Sequence, residues 1–313
     1  TGVVTREFFA VASKDIESLQ YKPKGATEGI EPCAIDDLAS EGKKETSVKG
    51  RVGLNKPDSK TILLNNDEGT DGFIKHAKFD KSMSPIKEAK GWTECPEDAL
   101  EFTLLMSGGF IRRPALIVKN EQGIYDTGKI YEKKSQVEPI AVLTTKEMVH
   151  DILDFDFRGN DKVETVKSMR LLSLEEDGSA LEIFISAALD IHEKQLFSPQ
   201  NLYDKVVENV GYPVPALNLA AKNEDELTKV MLPLWDKYCK WQSDAIQYLI
   251  EAENYDVIFS HCHNVDAQMH SVGHHMKHRD FSKYSEEAAR DYMEKIYIQT
   301  DNYIGSFLHY LDE

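Results

Sequence analysis

The rhythm of apolar and polar positions changes twice along the chain. Residues 21–100 are poor in core formers: Leu, Ile, Val, Phe and Met number 15 there, against 35 in residues 101–200. Turn formers punctuate the stretch, as in Lys22-Pro23-Lys24-Gly25 and Asn66-Asp67-Glu68-Gly69. The pattern predicts loops with short elements near 35–42 and 61–64. From Phe102 onward, short apolar runs at 102–106, 115–118, 124–131 and 140–143 alternate with Gly or polar turns and predict strands. Thr144 and Glu147 stand three apart, as in a capping box, and predict a helix through about Phe155. Apolar runs at 169–174 and 181–187, joined by Glu175-Glu176-Asp177-Gly178, predict a hairpin. Ser198-Pro199 suits a helix start, and Gly211 and Pro213 suit its end.

The last third reads differently. Leu232, Trp235, Cys239, Ile246 and Leu249 recur at helical spacing, and Trp235, Tyr238 and Trp241 form an aromatic stripe expected in the core. Residues 256–260 are a short apolar run, expected as a buried strand. Ser285 with Glu286 and Glu287 predicts a second helix, since acidic groups favour the positive end of the helix dipole. Ala289, Tyr292, Ile296, Tyr303, Phe307 and Leu311 mark its face. Between strand and helix lies a polar segment, just past a strand's C-terminal end. In open α/β sheets that edge binds ligands. The expected division is a loop-rich segment (1–100), a β-rich region (101–225) and an α/β segment (226–313).

Composition narrows the possibilities. With 313 residues, one large domain or two ordinary ones are expected. Hydrophobic residues at 41% make a buried core feasible. A net charge of −17 disfavours a nucleic-acid duplex or an anionic membrane surface as partner. No apolar run approaches the roughly 20 residues of a membrane helix. No signal peptide is visible, and the cysteines at 33, 95, 239 and 262 form no CxxC pair. A reducing, cytoplasmic setting is the default expectation.

The histidines carry the chemistry. Six of the ten lie between His261 and His278. A carboxylate and an imidazole four residues apart, Asp266 and His270, converge on one cation if the chain turns helically between them. That donor pair suits zinc, manganese or iron better than calcium. Gly273 would allow a sharp turn or close approach of a ligand. His261 and His263 alternate around Cys262, so one of them could face inward and support the site. His274, His275 and His278 are expected first as exposed loop residues, with His274 the best placed in sequence as a further ligand. Cys262 suits a small buried residue at a strand end, with a ligand or nucleophile as the alternative. Arg112 and Arg113, after Gly108-Gly109, could grip a substrate phosphate or form a basic strand edge.

Asp266-x-x-x-His270-x-x-Gly273 after a strand resembles a metal-ligand motif of the alkaline phosphatase superfamily, in particular its type I phosphodiesterase/nucleotide pyrophosphatase-like branch. The helix containing Asp301-Asn302-Tyr303 through Leu308 is similar to the one that follows in that family. Residues 167–187 and 198–213 resemble an insertion, or cap, of bacterial members, and 30–44 a core helix near the nucleophile. The resemblance implies an α/β fold: part of an alkaline-phosphatase-like core plus a β-rich α+β insertion. It also implies a metal-dependent phosphoester hydrolase acting on a small phosphoester, with two metal ions, usually zinc, in the whole enzyme. Asp266 and His270 would hold one of them. The family's nucleophile and first-strand Asp are not identifiable here, and no Asp-His-Gly occurs. This pattern is expected of a fragment that lacks the outer catalytic blocks and is inactive alone. The alternative expectation is a non-catalytic, histidine-rich metal-binding or interaction module.

Overall fold

In this computed structural model the described residues are 10–12, 73–75, 83–106, 111–158, 161–186, 188–192, 201–214, 221, 223–253, 255 and 257–311. They form a mixed α/β protein with antiparallel sheets and several helices. The chain divides into two compact units, one of residues 53–191 and one of residues 1–52 with 192–313. The elements expected at 35–42 and 61–64, and the residues similar to a core helix at 30–44, lie outside the described residues. So do Cys33 and the expected helix start at Ser198-Pro199.

Among the described residues the β-rich unit holds two five-stranded sheets. The first runs β3 (Lys87–Glu88), β4 (Leu100–Met106), β5 (Ile111–Lys119), β6 (Tyr125–Ile130) and β7 (Ala141–Thr144), each antiparallel to the next. In the second, β9 (Asp161–Leu174) pairs on one side with β8 (Val149–Arg158) and on the other with β10 (Leu181–Ile185) and β11 (Leu189–Asp190). β2 (Phe73–Lys75) adds to β10. Phe102, Leu104, Ala115, Ile117, Ile130 and Leu143 of the first sheet pack with Ile152, Met169, Leu171, Leu181, Ile183 and Ile185 of the second as one core. This is the antiparallel arrangement in which alternate side chains of each strand turn inward.

The expected 169–181 hairpin is present, with Leu174 opposite Leu181. Its turn closes through Gly178 N–H donating to Glu175 O (2.8 Å) and Glu175 N–H donating to Ala180 O (2.9 Å). Gly178 has φ +73°, and a Cβ there would lie 2.6 Å from Leu100 Cδ1. Both backbone and space therefore demand glycine.

The helix expected from Thr144 to Phe155 is a strand instead. Thr144 ends β7, and its hydroxyl accepts from the Lys146 amide at 3.4 Å, a turn contact rather than a helix cap. β8 follows with period-two burial: Ile152, Asp154 and Asp156 point inward, while Asp151 and Leu153 are exposed. Charged residues occupy the inner face because their partners are there. Arg113 on β5 donates from Nε to Asp154 Oδ1 at 2.8 Å, joining the two sheets. Lys167 on β9 donates to Asp154 Oδ2 (3.4 Å) and to Phe155 O (3.2 Å), with Asp156 Oδ2 at 3.8 Å. The side chains of Lys167 and Asp154 are each only 2% exposed.

The outer face of the first sheet is covered locally. Leu116, Val118, Ala99 and Tyr131 pack with Ala89 and Trp92. Glu101 on β4 sits among them and accepts from Trp92 Nε1 (2.7 Å), the Lys90 amide (3.1 Å) and Lys134 Nζ, with Lys87 Nζ at 3.2 Å. Burial alone pushes this carboxyl up and is the largest single influence. The hydrogen bonds from Lys134, Trp92, Lys90 and Lys87 together outweigh it and bring the group to about 2. A carboxyl whose folded value is depressed contributes stability that is full above its unfolded value, near 4.3, and is lost as pH falls through 2. In acid titrations of stability, Glu101→Gln is expected to flatten the decline between about pH 4.5 and 2. An unchanged slope would show that the Glu101 cluster does not drive it.

The second unit is built on helices. α1 (Asn201–Val210) ends at Gly211, whose φ is +100°. Although the sequence pattern groups it with the strands, it packs here: Trp241 Nε1 donates to Gly211 O at 3.0 Å, and Lys205 pairs with Glu253 at 2.7 Å. A cap by Asn223 and a π-helical turn (Leu227–Met231) lead into α2 (Leu232–Ala252). Its buried face carries Leu234, Trp235, Tyr238, Cys239, Trp241, Gln242, Ala245, Ile246 and Leu249, so the aromatic stripe is core as expected. The last long helix, Glu286–Gly305, starts where Ser285 accepts from the Ala288 amide, again as expected, and buries Ala289, Tyr292, Met293 and Ile296. Beyond Gly305 the apolar pattern no longer marks a buried face: Leu308–Leu311 is a 3-10 turn with no buried residue.

The expected strand at 256–260 is β12 (Val257–Phe259), but it is not buried. Val257 is 45% and Phe259 61% exposed. Its described partner is β1 (Ala10–Ala12), antiparallel, with Val11 opposite Ile258. A two-stranded ribbon leaves a face open to water, whereas the inner strand of a parallel sheet is covered on both sides.

Candidate metal-binding segment

Residues 260–263 leave β12 as a short loop, and helix begins at Asn264. α3 (Asn264–Gln268) runs through a π-helical turn (Met269–Gly273) into α4 (His274–His278). Residues four apart therefore share a face, as the Asp266–His270 spacing requires. Buried amide side chains fix which face. Asn264 Nδ2 donates to Ile296 O at 3.2 Å, and its Oδ1 accepts from Thr300 Oγ1 at 3.0 Å. Gln268 Oε1 accepts from Tyr292 Oη at 2.7 Å. Asn264 and Gln268 are themselves four apart. Pinning them to the long C-terminal helix turns Asp266 and His270 toward solvent, at 52% and 47% side-chain exposure.

The strand-to-helix loop is held from below by α2. Gln242 Nε2 donates to His261 O at 2.8 Å and to Ser260 Oγ at 3.1 Å. Tyr238 Oη accepts from the His263 amide at 3.2 Å and lies 3.4 Å from His261 O. Burial pushes the Tyr238 phenol above its ordinary value. Ser260 also meets Tyr303 Oη at 2.8 Å, and burial pushes that phenol up to about 12. Sequence reasoning missed Tyr238, Gln242, Asn264 and Gln268 as the residues that position the segment. The one visible signal was the second i, i+4 polar pair, Asn264 and Gln268, offset by two residues from Asp266 and His270.

Asp266 is the centre of the cluster. Its Oδ1 lies 3.6 Å from His270 Nε2, and its Oδ2 lies 3.3 Å from His263 Nε2. His263 is largely covered, at 14% exposure, and its Nδ1 lies 3.3 Å from His261 Nε2. His263 is therefore the inward member of the pair that flanks Cys262, and His261 is exposed. Two ligands of a tetrahedral zinc, with bonds of about 2.0–2.2 Å, lie about 3.3–3.5 Å apart. The separation of Asp266 and His270 is close to that edge. The contacts remain pairwise, however: among the described residues no group of three or more His, Cys, Asp or Glu side chains is arranged to hold one metal ion.

The other candidates have neighbours of their own. His274 and His278 stack on each other with ring centroids 4.3 Å apart, both exposed, as suits surface residues. His275 lies 3.3 Å from Asp280 and edge-on to Tyr284. Gly273 makes no sharp turn. It is helical, with φ −60° and ψ −35°, and a Cβ there would meet the flexible end of Met269 at 2.9 Å. Arg113 is committed to Asp154 inside the β-rich unit, and Arg112 is exposed on the opposite side of β5. β5 lies inside its sheet, so neither arginine forms a basic strand edge.

Cys262 is half-buried and stands against Cys239 of α2, sulfur to sulfur at 3.8 Å. The contact with Cys262, together with burial, pushes the Cys239 thiol up. Among the described residues no helix is long and apolar enough to cross a membrane. No protein-family model matches the chain, and no curated protein or solved structure matches it.

Proposed function

We propose that residues 261–278 bind a divalent cation through Asp266 and His270, and that the chain contributes these ligands to a metal-dependent phosphoester hydrolase of the alkaline phosphatase type. The observation that carries the reading is the approach of Asp266 Oδ1 and His270 Nε2 to 3.6 Å, near the separation of two ligands on one ion. The motif's resemblance supplies the reaction class. On the same reading β12 and the helices around it belong to an alkaline-phosphatase-like core, and the β-rich part of residues 101–225 to its insertion. Such an ion supplies Lewis-acid charge to a phosphoryl oxygen and acidifies bound water. The chain's own part is to hold the ion: Asp266 and His270 ligate, while His263 on the second carboxylate oxygen orients Asp266. Zinc suits this donor set.

Two protein ligands are fewer than the three or four of an ordinary zinc site, so binding is expected to be weaker than micromolar. Calorimetric titration with Zn²⁺ is the test. Asp266→Ala and His270→Ala are each expected to weaken binding about tenfold or more. Affinity is also expected to fall as pH drops, because ligation displaces protons. Submicromolar binding that survives both substitutions would contradict the assignment. It would favour the non-catalytic module, with His261, His263, His275 and His278 as an independent histidine site. With excess Zn²⁺ or Mn²⁺, these 313 residues are expected to hydrolyse p-nitrophenyl phosphodiesters no faster than buffer does. Turnover that disappears with Asp266→Ala would show instead that they hold the complete chemistry.

A further inference from the structure

Cys239 and Cys262 are 23 residues apart in sequence, yet their sulfurs stand 3.8 Å apart. Both are free thiols. A disulfide is about 2.05 Å long, so each sulfur has to move by about 1 Å, within reach of a small χ1 rotation. The two segments that carry them are fastened to each other on either side. Gln242, three residues past Cys239, binds His261 O, and Tyr238, just before it, binds the His263 amide. Asn264, two residues past Cys262, is tied to Ile296 O and Thr300. Hydrogen bonds of the Gln242 and Tyr238 side chains to the backbone hold the segments together, and the Cys262 thiol itself donates to Asn264 Oδ1 at 3.3 Å.

We propose that Cys239 and Cys262 form a reversible thiol–disulfide redox site whose oxidant is a small disulfide of the glutathione type. Cys262 is the more accessible of the two and reacts first. Its thiolate attacks one sulfur of the oxidant, the oxidant's S–S bond breaks, and one glutathione leaves as thiolate. Cys239 then attacks the Cys262 sulfur, a protein disulfide forms, and the second glutathione leaves. Two protein thiols are oxidised and one small disulfide is reduced to two thiols, which take up the protons lost by Cys239 and Cys262. The new bond joins α2 to the residue between His261 and His263, adding to the hold that Gln242 and Tyr238 have on that backbone. This site stands whether or not Asp266 and His270 bind metal.

The test uses the native chain, incubated with oxidised glutathione, quenched in acid, alkylated under denaturing conditions and mapped without reduction. The expected product is a linked peptide pair containing Cys239 and Cys262, lighter by two hydrogens than its reduced parts and restored by dithiothreitol. The exposed Cys95 serves as the internal control and should carry only a glutathione adduct. In Cys239→Ser, Cys262 is expected to stop at the glutathione adduct. Mapping also separates this bridge from any involving Cys33. The proposal is overturned if both thiols remain alkylatable under conditions that modify Cys95. It is equally overturned if wild-type Cys262 retains glutathione while Cys239 stays free.

Discussion

Asp154→Ala is expected to destabilise the β-rich unit by about 3–5 kcal/mol, the usual consequence of removing one partner from a buried ion pair. The residue sits on the inner face of β8, where its carboxylate receives Arg113 from the opposite sheet and Lys167 from the neighbouring strand. Removing it leaves two cations desolvated, with Asp156 3.8 Å from Lys167. Burial opposes ionisation of Asp154 and is the largest single influence on it. Lys167 and the hydrogen bond from Arg113 nevertheless hold the group below the ordinary carboxylate range. A depressed folded value means that this stabilisation is complete above the unfolded value, near 3.9, and is lost as pH falls through the folded one. Native-state hydrogen exchange of the β4, β5 and β9 amides reads the unit's own unfolding free energy. Asp154→Asn should lose most of the same amount, because it keeps the volume and removes the charge. A cost below about 1 kcal/mol for Asp154→Ala would mean that the cations find other partners.

Trp235→Ala carries the second large effect, about 3–5 kcal/mol on the helical unit. Trp235 is fully buried, on the α2 face that also carries Leu234 and Tyr238, and its ring meets that of Tyr238 edge-on at 5.1 Å. The cavity left by an indole cannot close without moving α2. The same helix carries Tyr238 and Gln242, which hold the backbone at His261 and His263. Loss of stability should therefore appear with faster exchange of the 261–268 amides. Trp235→Phe, which keeps a ring in place, should cost much less. Equal costs for the two variants, or protection of 261–268 unchanged in Trp235→Ala, would separate the aromatic core from the histidine segment.

How much of this was legible beforehand depends on where each residue finds its partner. The strands 102–106, 115–118, 124–131 and 140–143 carry apolar runs that pack on whatever apolar surface the fold offers, so pattern alone located them. The helices after Leu232 and Ser285 were visible for a similar reason: apolar spacing names the buried face, and Ser285 caps its own helix locally. β8 was not legible. Beyond Ile152 its inward positions are Asp154 and Asp156, and Leu153 points outward, so the polarity of this part of the strand is inverted. Arg113, 41 residues away, and Lys167 stabilise that inversion.

The candidate site divides along the same line. The sequence by itself showed that Asp266 and His270 would share a face if the chain turned helically between them; the structure decided that it does, through the helical turns from Asn264 to His278. The sequence also determined that histidines crowd between β12 and the last long helix. Tertiary structure decided which face looks outward, through Asn264 on Ile296 O and Gln268 on Tyr292. It also decided that His263, rather than His274, lies against Asp266, and that Arg113 serves a buried ion pair instead of a phosphate. Cysteines with no recognisable spacing became neighbours at 3.8 Å for the same reason. Residues remote in sequence are brought together by helix packing, and no local pattern records that distance.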